Sequence, residues 1–133
     1  MAIEIAVTRG VIATLLAEAR AAAPGECCGL LLGEGEQITR SLPCANVHRS
    51  PERFFEIDPA ALVAAHRTAR NGGPRLLGYY HSHPRGDPRP SAEDRRNASG
   101  DGRIWAIIAT GAVRFYRDAD SGFVALTCHL CAE

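Results

Sequence analysis

The run CCGLLLG, residues 27 to 33, is apolar at every one of its positions. A stretch this short and uninterrupted reads as a strand, and with no polar alternation it cannot turn one face to water. It has to be covered on both sides, as in sheets that carry helices on their faces. RLLGYYHSH (75–83) and WAIIAT (105–110) also read as strands. Between them lie segments of helical period. Thr8 caps a helix with apolar Ile12, Leu15, Leu16 and Ala19, stopped by Pro24-Gly25. Asp58-Pro59 opens a second, through Leu62, Val63, His66 and Ala69 to Gly72-Gly73-Pro74. Ser91 opens a third.

The remaining segments read as strands. AIEIAV (2–7) alternates, and QITRSLPC (37–44) follows a GEGE turn as the hairpin partner of the buried run, with Ile38 and Leu42 on one face. FFEI (54–57) is a short strand before Asp58, and NVHRSPER (46–53) is loop. AVRFYRD and FVALTCHL, joined by a DADSG turn, complete the sheet. The expectation is one α/β domain over residues 1–133, a mixed sheet with helices packed against it. A chain of 133 residues suits one core and not two.

Composition removes several classes of function. The formal charge is zero, which speaks against nucleic acid and against an anionic membrane as partners. No run approaches the roughly 18 apolar residues of a membrane span. MAIEIAVTRG has neither a basic n-region nor an apolar h-region, so a cytoplasmic chain is expected. All 15 basic residues are arginine, which with the abundant alanine points to a GC-rich bacterial genome. Five cysteines in that setting are expected to be thiols.

Against this apolar background, His81 and His83 stand out at the end of a strand. Residues two apart on a strand share a face, with Cα atoms roughly 6.6 Å apart, so two imidazoles can meet on one ion. Pro84, Gly86, Pro88 and Pro90 make a stiff reversing loop, and a helix from Ser91 carries Asp94 in its first turn. Ser91 and Asp94 also fit a helix capping box. Two histidines and an aspartate leave a fourth tetrahedral position for water, the open arrangement of catalytic zinc. A proton acceptor outside the ligand set is then needed. Glu26, at the head of the buried run, is the candidate, with a strand-end cap as the plainer alternative.

PGECCGLLLG followed by H-S-H-P-x6-S-x-x-D resembles the JAMM metalloprotease family (the MPN-plus domain), and NVHRSPERFFEIDP resembles its bacterial members. The resemblance covers most of residues 24–110. It implies a curved mixed sheet flanked by helices, related to the cytidine deaminase architecture. It implies one Zn2+ per chain held by His81, His83 and Asp94, with Glu26 as general acid/base and Ser91 helping to stabilise an oxyanion. The implied activity is hydrolysis of the amide or isopeptide bond after the C-terminal glycine of a ubiquitin-like protein. In a bacterium the expected partner is a sulfur-carrier protein. No expectation about oligomeric state follows.

Two alternatives stay open here. PRGDPRPSAED also resembles the loop of RadC-type, DNA-associated proteins, and a metal-free MPN-type scaffold is the third reading. A base deaminase would need H-x-E and P-C-x-x-C, where this chain has His83 and Thr127 before Cys128-x-x-Cys131. H-E-x-x-H is absent. Cys128 and Cys131 lack a second pair at zinc-ribbon spacing. Arg85, Arg89, Arg95 and Arg96 crowd the mouth of the proposed site, as a solvated loop or as a surface for an acidic partner.

Overall fold

The computed structural model describes residues 3–132, so Met1, Glu133 and the Ala2 that opens the expected first strand lie outside it. In chain order the elements are β1 (Glu4–Thr8), α1 (Arg9–Ala22), β2 (Cys28–Glu34), β3 (Gln37–Cys44) and α2 (Pro59–Arg70). There follow β4 (Arg75–Ser82), α3 (Ala92–Asn97), β5 (Ile104–Ala109), β6 (Ala112–Ala119) and β7 (Gly122–Cys131). The α/β expectation holds, and the sheet is mixed: β1 runs parallel to β3, and β4 parallel to β5, while the hairpins are antiparallel. One feature was not foreseen. β7 returns to pair in parallel with β1, closing the order β1-β3-β2-β4-β5-β6-β7 into a barrel.

β2 and β4 each feed two cores. Leu31 packs with Val11 and Leu15 of α1, together with Ile5, Ile38, Tyr80 and Phe115. Its neighbours Leu30 and Leu32 pack with Ala65 of α2 and Leu76. This is why β2 is buried at six consecutive positions. α1 begins where the Thr8 side chain accepts the Val11 N–H, and α2 where the Asp58 carboxylate accepts the Ala60 N–H ahead of Pro59. Gly29 has no room for a side chain: a Cβ there would lie 2.4 Å from the Tyr80 ring, which crosses it to donate to Glu18 at 2.6 Å. Among the described residues no helix is long and apolar enough to cross a membrane.

Three local expectations are corrected. Ile38 is buried but Leu42 is exposed, because the β2–β3 register shifts at Leu32/Gly33. One extra residue in the strand reverses the alternation beyond it. Val63 faces solvent, and Ala65 is the buried residue of α2. FFEI is not a strand. Only Ile57 bridges, to Asn46, and the Asn46 side chain takes the Phe54 carbonyl and the Glu56 N–H that a strand neighbour would otherwise satisfy.

Candidate metal centre

Two parallel strands end at the site. In β4, Tyr79 and His81 share the face opposite Tyr80, and the ladder to β5 sets them beside Trp105 and Ile107. His81 is fully buried. His83 lies one residue beyond β4 and is anchored by its N–H to the Ile108 carbonyl at 2.8 Å. The chain then reverses through 84–90 and starts α3. There the Asp94 N–H donates to Ser91 Oγ at 3.0 Å and the Ser91 N–H donates to Asp94 Oδ2 at 2.9 Å, a complete capping box. The capped helix start thus holds a buried carboxylate rigidly against the end of β4.

The three side chains converge. His81 Nε2 is 3.0 Å from Asp94 Oδ1, His83 Nε2 is 3.1 Å from Asp94 Oδ2, and the two Nε2 atoms are 3.1 Å apart. His83 Nδ1 sits 2.8 Å from the Asp87 carbonyl, which can only accept, so Nδ1 carries the proton and Nε2 presents a lone pair. A lone pair and a carboxylate oxygen at 3.1 Å need positive charge between them. A proton can supply it, and so can a metal ion. Burial would raise the Asp94 carboxyl, but hydrogen bonds with His81, His83 and the Ser91 N–H outweigh it and hold the group well below the usual carboxylate range. Burial lowers His81, outweighing Asp94, and so favours the neutral imidazole that ligates a metal. His83 moves the other way, because its bonds to Asp94 and Asp87 overcome burial. A cluster of two imidazoles and one ionised carboxylate, with ligand atoms all within 4.8 Å of one another, suits zinc.

Glu26 faces this cluster. Cys28 pairs with His81, and Cys27 and Ser82 exchange hydrogen bonds of 2.9 and 3.1 Å, so continuing the register sets Glu26 opposite His83. Burial pushes its carboxyl up to about 7, with His83 lowering and Asp94 raising it. Glu26, Phe54, Phe55, His83, Ser91 and Asp94 share the lining of an open groove of about 350 Å³. Ser91 is exposed at its rim. Its Oγ spends a lone pair on the Asp94 N–H, which leaves the hydroxyl proton available to a ligand.

Two aromatic residues that sequence reasoning passed over, Phe55 and Trp105, pack directly on His81. Their signal was the apolar pair inside an otherwise polar loop and a tryptophan in register with the histidine strand. Of the cysteines, Cys28 adjoins the site in the ladder, but its Sγ lies by the Cys44 and Ala45 carbonyls and burial pushes its thiol up to about 12. Cys128 and Cys131 belong to β7, which does not neighbour β4. Three of the four arginines at the mouth pair with acidic side chains, Arg85 with Glu52, Arg89 with Asp87 and Arg96 with Glu93.

Residues 8–119 match the model of the prokaryotic homologues of the JAB domain. A probable TtuB-protein conjugate cleaving protease of Thermus thermophilus is 36% identical over 121 residues, 90% of this chain and 80% of its own length. A Haloferax volcanii desampylase is 38% identical over 88 residues, 65% of this chain; the match spans 63% of the desampylase. A solution structure of a Desulfitobacterium hafniense protein superposes with a TM-score of 0.84 at 33% identity, covering 97% of this chain and 94% of that one.

Proposed function

The chain belongs to the prokaryotic homologues of the JAB domain, and from that premise we propose that it is a zinc-dependent peptidase acting on a ubiquitin-like protein. The bond cleaved is the amide or isopeptide bond after that protein's C-terminal glycine, and a sulfur carrier is the expected kind of substrate. The observation that carries this reading is the convergence of His81, His83 and Asp94 with Glu26 facing them across one groove. The names of two relatives, a desampylase and a conjugate cleaving protease, support the substrate class.

In the proposed roles, His81, His83 and Asp94 hold the ion. Zinc bound there would polarise the scissile carbonyl and make water a nucleophile near neutral pH. Glu26 is outside the ligand set and has a carboxyl near neutrality, so it can take the proton of the attacking water and return it to the departing amine. Ser91 donates its hydroxyl to the oxygen that gathers negative charge. Phe55 and Trp105 keep the His81 ring dry and in place.

The test is a ubiquitin-like protein joined through its terminal glycine to a second protein or to a single amino acid, incubated with zinc-loaded protein. Mass spectrometry should find a new carboxyl terminus at that glycine, and a chelator should abolish the cut. A zinc-loaded, folded protein that leaves a panel of such conjugates intact would overturn the reading.

A further inference from the structure

Among the described residues no side chain hydrogen-bonds the Glu26 carboxylate, so its aim depends on how its backbone is held. That backbone is gripped from both sides by one loop. The Glu26 N–H donates to the Pro51 carbonyl at 2.8 Å, and the Glu26 carbonyl accepts from Asn46 Nδ2 at 3.1 Å. The same Nδ2 donates to the Phe54 carbonyl at 3.0 Å and lies 3.4 Å from the Pro51 carbonyl. Asn46 Oδ1 accepts the N–H groups of His48 and Glu56, both at 3.1 Å. A primary amide offers two N–H donors and two lone pairs. All are spent on the backbone of residues 46–57 and of Glu26.

We propose that Asn46 is a positioning residue for proton transfer, setting the Glu26 carboxylate at its working distance from the metal centre; this rests on the peptidase reading above. The geometry is specific to an amide. An aspartate at 46 would keep the shape and both accepting bonds but would turn the donor edge into a charged acceptor facing three carbonyls. The Glu26 carbonyl would lose its partner while His81, His83 and Asp94 kept theirs.

The experiment uses Asn46→Asp, with Asn46→Ala as a second variant should the first fail to fold. Turnover should fall by up to roughly 10²-fold, the cost of a small misplacement of a reacting group, with KM and zinc content unchanged. In a Glu26→Gln background the same substitution should change turnover by less than about twofold, because residues acting through one group are not additive. Independently of activity, the Glu26 amide proton should exchange faster with solvent in Asn46→Asp. Losses that multiply in the double variant, or a Glu26 amide as protected as in the parent, would overturn the proposal. If the parent itself cleaves no conjugate, the function reading falls while amide exchange still decides whether Asn46 clamps Glu26.

Discussion

Phe55 lies flat on the His81 imidazole, ring centroids 4.2 Å apart and 18° from parallel. Trp105 meets the same ring edge-on at 5.7 Å. A metal-binding histidine is ordinarily oriented by a hydrogen bond on its second ring nitrogen. Here His81 Nδ1 is buried with no partner among the described residues. In the proposed metal centre that task would fall to the aromatic packing, which comes from a loop and from the neighbouring strand.

Phe55→Leu should therefore weaken zinc binding by roughly 10- to 100-fold, the usual cost of losing a group that orients a ligand. Competition with a chromogenic chelator measures it. Affinity equal to the parent's would mean that the ring orients nothing.

Cap and ligand can be separated at Asp94. Asp94→Asn still offers an oxygen to the Ser91 N–H, so the start of α3 survives, but it brings no charge to the imidazoles. We expect a folded protein that cannot hold zinc, matching His81→Ala in metal content. Cys131→Ser should keep one zinc per chain. Full metal occupancy in Asp94→Asn would remove Asp94 from the ligand set.

Glu26→Gln addresses proton transfer alone. The amide keeps the volume and cannot accept a proton, so zinc should stay while turnover drops by roughly 10² to 10⁴. Metal analysis and single-turnover kinetics on the same preparation decide it. Loss of zinc here would make Glu26 a ligand and not a base.

The site was legible in sequence to the extent that it rests on local geometry. The i, i+2 spacing of His81 and His83 and the capping pair Ser91 and Asp94 each follow from the period of one element. Glu26 needed one long-range fact, the β2–β4 register, which the chain does not spell out but which follows once CCG is laid against HSH. What stayed hidden depends on partners distant in sequence. The β1–β7 closure joins the two ends of the described chain, and neither strand carries a mark of the other. The bulge that exposes Leu42 falls in β3 between Ile38 and Arg40, away from that strand's Pro43, and nothing in that stretch announces it. Phe54 and Phe55 look like strand residues. Asn46 makes them loop by taking backbone groups that a strand would have paired.

Ser91 carries the last prediction, since its capping role and its proposed oxyanion role use different parts of one hydroxyl. As a cap it accepts the Asp94 N–H, and losing that alone, in Ser91→Ala, costs about 1 kcal/mol of stability. As an oxyanion donor it supplies the proton left over, and losing that lowers kcat by roughly 10² to 10³. Ser91→Asp pulls the roles apart, because aspartate caps a helix as well as serine does but turns negative charge toward the developing oxyanion. We expect Ser91→Asp to melt with the parent, retain its zinc and hydrolyse almost nothing. If it turns over conjugate at the parent rate, Ser91 serves the helix and not the reaction.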